Sequence, residues 1–187
     1  MLSKSELRAA IKEQIVNLDY AKKEVMDEKI RKNIYNLNEY WVAKTIFSYV
    51  SKDKEVDTLD LINHSISLGK TVCVPLTKKE NNSLEMRKIE DLMDLKIGNF
   101  NILEPNDHAK CVNSKEVEIL FIPGLAFGIG RERLGRGGGY FDRFLVQSTG
   151  LKVGLAYEFQ IFDSLPVQKH DIKMDMIITD KRIINCV

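Results

Sequence analysis

Between residues 121 and 145 the chain reads Phe-Ile-Pro-Gly-Leu-Ala-Phe-Gly-Ile-Gly-Arg-Glu-Arg-Leu-Gly-Arg-Gly-Gly-Gly-Tyr-Phe-Asp-Arg-Phe-Leu. Three consecutive glycines, Gly137, Gly138 and Gly139, remove side chains where a backbone must approach a ligand closely. Arg131, Arg133 and Arg136 add fixed positive charge, and a planar guanidinium can donate two parallel hydrogen bonds to a phosphate. The stretch from Gly139 to Val146 reads as a helix, whose free N–H groups and positive dipole end would point at the same place. Asp142, just inside that helix, is a natural magnesium ligand beside bound phosphates. The chemistry suggested is a nucleotide-phosphate site with a divalent cation. The spacing matches neither the G-x-x-x-x-G-K-[ST] loop nor the G-x-G-x-x-G fingerprint. On residue types alone, a surface turn with solvated arginines stays open as the alternative.

Such a loop needs elements to hold it. Glu118-Ile119-Leu120-Phe121-Ile122 reads as a short buried strand, ended by Pro123-Gly124, so the loop leaves the carboxyl end of a strand, where open α/β sheets bind ligands. Upstream, Thr45 to Val50 is a β-rich run, followed by a charged loop from Ser51 to Glu55. Leu59, Ile62 and Ile66 then share a helix face, Gly69 sits at a helix end, and Thr71 to Pro75 reads as a second strand. Strand, helix and strand in this order make a βαβ unit with parallel pairing. The first forty residues read as two core-facing helices. Ser3 and Glu6 form a possible capping box for one with Leu7, Ile11, Ile15 and Leu18 on its stripe, and the other carries Met26, Ile30, Ile34, Leu37 and Trp41. Leu84 to Ile89, Val153 to Tyr157 and Met176 to Thr179 are further strands, and residues 90–117 are polar and irregular. The expected fold is a single α/β domain over residues 1–187 with a mainly parallel sheet.

Composition narrows the function. The chain has 187 residues, with 28 Lys and Arg against 27 Asp and Glu, a net charge of +1. That balance argues against nucleic-acid binding through bulk charge. No apolar run reaches the length needed to span a bilayer, and the charged opening lacks the apolar stretch of a secretory signal. Cys73, Cys111 and Cys186 are odd in number and form no C-x-x-C pair, against both a zinc site and a disulfide framework. The expectation is a cytoplasmic protein. Cys73 reads as a core residue and Trp41 as a core or helix-packing one, and none of His64, His108 and His170 reads as a metal ligand.

Pro123 to Phe127, then Arg133-Leu134-Gly135, then Gly137-Gly138-Gly139-Tyr140-Phe141-Asp142-Arg143 resemble the signature of the 5-formyltetrahydrofolate cyclo-ligase (methenyltetrahydrofolate synthetase) family. The resemblance extends to Lys4-Ser5-Glu6-Leu7-Arg8, to Ser51–Thr58, to Gly98–Pro105, and to Gln160, Pro166 and Asp171. It implies a three-layer α/β/α, Rossmann-like fold. The activity implied is ATP- and magnesium-dependent conversion of 5-formyltetrahydrofolate to 5,10-methenyltetrahydrofolate, with release of ADP and phosphate. In that reaction the formyl oxygen is phosphorylated and N10 of the folate attacks the activated carbon. Phosphoryl transfer of this kind relies on positioning and charge neutralisation, with no covalent protein nucleophile.

The resemblance also implies roles. Lys4, Arg8 and Arg133 to Phe141 would bind ATP, Lys4 and Arg8 from one helix face. Arg136 and Tyr140 would be catalytic and would also meet the folate, together with Val50 and Glu55. Asp142 and Asp171 would hold Mg2+, and replacing Asp142 by Ala is expected to abolish turnover and leave the fold intact. The implied partners are ATP and a reduced folate, with no nucleic acid and no membrane, in a monomer. Taken alone, Lys4 and Arg8 are equally two solvated charges, Glu55 one acid of a charged loop, and Asp171 an exposed carboxylate. Two positions depart from the family pattern: Gly128 replaces an Asp, and Arg131 replaces a Gly, with Gly130 one place early. An extra arginine there could strengthen anion binding or obstruct it. An ATP- or folate-binding module without turnover, and a same-fold enzyme acting on another small formylated substrate, are the competing readings.

Overall fold

The computed structural model describes residues 3–166, 168 and 171–185, so His170 and Cys186 lie outside the described residues. The capping box forms: Glu6 N–H donates to Ser3 Oγ at 3.3 Å, and Ser3 N–H donates to Glu6 Oε2 at 2.8 Å. It starts helix α1 (Lys4–Val16). Asp19 caps α2 (Tyr20–Tyr35), accepting from Lys22 N–H at 3.0 Å.

The expected run of the second helix through Trp41 is not found. The helix stops at Asn36, Leu37 is extended, and a short α3 (Asn38–Val42) follows. The break buries Tyr40 completely and leaves Trp41 half exposed, edge-on to Tyr40 at 5.7 Å, so Trp41 packs against its neighbours and is not a core residue. Tyr40 suits the interior because its hydroxyl is paired there, at 2.9 Å from both Ser65 Oγ and His64 Nδ1. Trp41 donates its indole N–H to the Tyr35 carbonyl at 2.6 Å.

The βαβ unit is present as β1 (Thr45–Ser48), α4 (Leu59–Ser67) and β2 (Thr71–Lys78), with β1 and β2 parallel. An antiparallel β3 (Ser83–Ile89) closes one edge. The segment expected to be irregular carries a small hairpin, β4 (Leu95–Ile97) with β5 (Leu103–Pro105). Next come β6 (Ile119–Pro123), β7 (Ala126–Gly128), β8 (Arg133–Leu134), α5 (Tyr140–Leu145), β9 (Leu151–Leu155), β10 (Ile161–Phe162), β11 (Met176–Ile178) and β12 (Ile183–Asn185). The main sheet has the order β12-β11-β9-β6-β1-β2-β3, parallel throughout except for the two edge strands. β7, β8 and β10 form a separate three-stranded sheet.

Strand alternation sorts the core into two layers. Ile46, Val72, Ile119, Phe121, Val153 and Ile178 meet Ile30 and Ile34 of α2, Tyr40 of α3, and Leu61 and Ile62 of α4. Their neighbours Phe47, Cys73, Leu120, Ile122 and Ile177 face the other way, onto Phe127 and onto Phe144 and Leu145 of α5. The result is the expected α/β/α layering. Cys73 is a core residue as expected, and burial pushes its thiol up to about 12. α1 packs elsewhere: Leu7 and Ile11 pack against Leu125, Ala126, Leu134 and Leu165 around the small sheet. No described helix is long and apolar enough to cross a membrane.

Candidate active site

A cavity of about 540 Å³ opens beyond the carboxyl ends of β1 and β6, where Val50 and Pro123-Gly124 lie in its wall. Lys4, Arg8, Glu55, Asp171 and the whole run from Arg133 to Asp142 line the same cavity. The structure therefore brings together residues from the first helix, the loop after β1, the glycine loop and the segment before β11.

The backbone around the glycines explains their presence. Gly137 and Gly139 have φ of +106° and +68°, in the left-handed region that side chains disfavour. A Cβ on Gly135 would lie 2.9 Å from Nη1 of Arg133. Arg8 Nε donates to the Gly135 carbonyl at 2.9 Å, fixing α1 to the loop. Arg143 Nη2 donates to the Gly138 carbonyl at 2.7 Å, and its Nε to the Asn82 carbonyl at 2.8 Å. Tyr140 donates its hydroxyl to Asn82 Oδ1 at 2.9 Å. The β2–β3 turn thus braces the end of the loop. α5 is only six residues long, so few peptide dipoles add at its start and the side-chain cations supply most of the positive field.

Three ion pairs organise the charge. Lys4 Nζ lies 2.6 Å from Asp171 Oδ2, Arg133 Nη2 lies 2.6 Å from Asp142 Oδ1, and Arg136 Nη2 lies 2.6 Å from Glu55 Oε1. The Arg133 side chain is only 3% exposed and sits 5.7 Å over the Phe141 ring. Arg136, at 60% exposed, reaches across the cavity mouth to Glu55. Asp142 and Asp171 thus each hold a cation, and among the described residues no group of three or more His, Cys, Asp or Glu could hold a metal.

Arg131 corrects the charge count made from the sequence. Its φ is +68°, and its Nη1 donates to the Met174 carbonyl at 3.2 Å. It is absent from the cavity wall, and its guanidinium is directed at the Met174 carbonyl. Its backbone closes a turn, with Arg131 N–H donating to the Gly128 carbonyl at 2.8 Å. Gly128 leaves room for the Glu132 side chain, since a Cβ there would lie 2.2 Å from Glu132 Oε2.

Sequence reasoning missed part of the wall. Pro75, Phe100, Ile102 and Lys52 also line the cavity. Phe100 meets the Tyr140 ring edge-on at 5.9 Å, and Lys52 Nζ donates to the Phe100 carbonyl at 2.9 Å. Buried Glu104 shapes this turn by accepting from Thr77 N–H at 3.1 Å and Asn99 N–H at 3.0 Å. The signal in the sequence was the resemblance over Ser51–Thr58 and Gly98–Pro105, which contain Lys52, Phe100 and Ile102; a Cβ on Gly98 would fall 2.3 Å from Glu104 Oε2.

Comparison with known proteins is consistent along the chain. The model of the 5-formyltetrahydrofolate cyclo-ligase family matches residues 1–180. The 5-formyltetrahydrofolate cyclo-ligase of Mus musculus is 28% identical, over 94% of this chain and 93% of that protein. That of Haemophilus influenzae is 30% identical, over 91% and 94%. The NMR structure of Aquifex aeolicus 5,10-methenyltetrahydrofolate synthetase superposes with a TM-score of 0.88 at 34% identity, covering 98% of this chain and 93% of that one. The synthetase of Mycoplasma pneumoniae gives a TM-score of 0.78 at 26% identity, covering 96% and 99%. With its family model matched nearly end to end and its fold shared by two synthetases, this chain belongs to the 5-formyltetrahydrofolate cyclo-ligase family of enzymes.

Proposed function

We propose that the chain converts 5-formyltetrahydrofolate to 5,10-methenyltetrahydrofolate, using ATP and Mg2+ and releasing ADP and phosphate. The observation that carries this is the composition of a single cavity. One side is a glycine loop with Lys4, Arg8, Arg133 and Arg136, and the other is an apolar wall of Val50, Pro75, Phe100 and Ile102 with Glu55 at its edge. The first suits a polyphosphate and the second a flat heterocycle with N–H donors.

An amide oxygen is a poor leaving group, and phosphorylation makes it a good one. The protein's part is to align the formyl oxygen with the terminal phosphate and to neutralise charge. Lys4 and Arg8, anchored on α1, contribute fixed cations, and Arg133 is held by Asp142. Arg136 and Tyr140 lie where the two halves meet, next to Glu55 and Phe100 respectively, and act on both substrates. Glu55 accepts hydrogen bonds from the pterin side of the folate.

Magnesium usually keeps several waters and binds through one or two carboxylates plus substrate phosphates. Asp142 and Asp171 are two carboxylates on the wall of that cavity, and to take a metal each would exchange its present partner, Arg133 or Lys4. They would hold the metal, which when bound neutralises phosphate charge. We read the protein as a cytoplasmic monomer without membrane or nucleic-acid partners, the last supported by its near-neutral charge.

The test is an optical assay for the methenyl chromophore with 5-formyltetrahydrofolate, ATP and Mg2+, and parallel cuvettes lacking ATP or metal. Product that requires both additives is expected. Folded protein that binds ATP yet makes no product would favour a binding module or another formylated substrate.

A further inference from the structure

Glu55 sits on a loop, yet its backbone is held from below by three buried side chains on three different elements. The Tyr157 hydroxyl, just after β9, lies 3.1 Å from the Glu55 carbonyl. The Tyr49 hydroxyl, just after β1, donates to the Val56 carbonyl at 2.8 Å. Asp57 N–H donates to Asp27 Oδ1, on α2, at 3.1 Å. Three consecutive residues are thus each tied to the core. The anchors are joined to one another, since the single Tyr157 O–H proton has two acceptors in reach, the Glu55 carbonyl and Asp27 Oδ1 at 2.9 Å. Lys23 Nζ completes the set at 2.5 Å from Asp27 Oδ2.

This arrangement is costly unless it does something. Asp27 is 7% exposed and Tyr157 1% exposed, and a buried carboxylate needs every partner it has. Burial, reinforced by the Asp27 carboxylate, pushes the Tyr157 phenol far above its ordinary range, so it stays a neutral donor. Tyr157 does not line the active-site cavity; its hydroxyl ends on the far side of the loop that presents Glu55. Glu55 itself is fixed from the other end, with Oε2 accepting Lys52 N–H at 3.0 Å and Oε1 facing Arg136.

We infer that Asp27 and Tyr157 are positioning residues that set the affinity for the folate by holding Glu55 in register with the glycine loop. The inference rests on the reading of Glu55 as a folate contact. It separates this pair from ordinary core residues, because its effect must appear on one substrate and must vanish when Glu55 is removed.

The experiment uses Tyr157→Phe, which keeps the ring and deletes the hydroxyl, and Asp27→Asn as the second variant should the first not fold. Each is compared with wild type alone and in a Glu55→Gln background. The expected result is a rise of about five- to tenfold in KM for 5-formyltetrahydrofolate, in line with loss of a hydrogen bond to a charged acceptor. KM for ATP should stay within about twofold, as no phosphate contact is altered. In the Glu55→Gln background the same substitution should add nothing. Hydrogen exchange across residues 51–58 should speed up in the variant, a readout independent of turnover. Equal losses for both substrates, full additivity with Glu55→Gln, or unchanged folate KM despite faster exchange would each overturn the inference. Wild-type protein that makes no methenyl product would instead overturn the assigned reaction, leaving the exchange comparison to report on the anchor alone.

Discussion

Replacing Asp142 by Asn tests whether the carboxylate serves the fold as well as the chemistry. From the sequence, Asp142 is expected to be needed for turnover alone. The structure changes that expectation, because Asp142 is the carboxylate partner of an arginine whose side chain is 3% exposed. Without it, Arg133 keeps a long hydrogen bond of 3.4 Å to the Pro123 carbonyl and its place over the Phe141 ring, and its Nε has no hydrogen-bond partner. Breaking a buried pair from one side costs about 3–5 kcal/mol, because the remaining charge is stranded. Asp142 is 22% exposed, so some water can reach the gap and the lower end, about 3 kcal/mol, applies. For a chain of this size that corresponds to a fall in Tm of about 6–12 °C. The assay is thermal unfolding of ligand-free protein at pH 7, with Arg133→Met and the double variant alongside. The double variant should be less destabilised than the sum of the singles by at least about 1 kcal/mol. An Asp142→Asn protein that melts within about 2 °C of wild type would show that Asp142 does not neutralise Arg133, and the purely chemical role would stand.

Glu55→Ala should raise KM for the folate about tenfold, the equivalent of about 1.4 kcal/mol, with little change for ATP; steady-state kinetics with each substrate varied will decide. Gly139→Ala places a side chain at φ +68° and 3.0 Å from Arg143 Nη1, and should cost about 1 kcal/mol in a urea titration together with weaker ATP binding. Glu118 accepts the backbone N–H groups of Thr45 and Lys44, which hold its carboxyl below the ordinary value. Its contribution to stability is therefore present above the unfolded-state value and lost as pH falls through the lower folded value. Glu118→Gln should then destabilise at pH 7 more than at pH 3, as read by paired denaturant titrations. Cys73 should resist alkylation in the native protein while exposed Cys111 reacts, as peptide mass mapping will show.

The glycine loop was legible because its residues are contiguous. Gly137 to Gly139 with flanking arginines form a local pattern, and the strand before them carries its own apolar signature. The direction of a side chain is a different matter: Arg131 counts as a nearby cation in the sequence, but its left-handed backbone sends the guanidinium to Met174. The second helix was misjudged at Trp41 for a related reason. Helical spacing continues through Asn36, and only the hydroxyl partners of Tyr40 on α4 explain why the neighbouring aromatic goes inside. Contacts that join distant segments left no local trace. Phe100 meets Tyr140 across the cavity from an irregular stretch, and Asp27 meets Tyr157 across 130 residues of chain.

The seat of α1 has a consequence for how the protein is made. Its apolar face rests on Leu125, Ala126, Leu134 and Leu165, and Lys4 finds Asp171 at a separation of 167 residues. At about 5–20 residues per second, a ribosome needs roughly 8–33 s to supply the partner of a lysine that emerged among the first. Leu125, Ala126 and Leu134 are made before Asp171, so the first helix gains packing surface ahead of its counter-charge; until then a helix of this length is marginal on its own. The central strands can pair before it docks. The contact between Lys4 and Asp171 thus closes over 167 residues, after strands lying between them in the sequence can have paired.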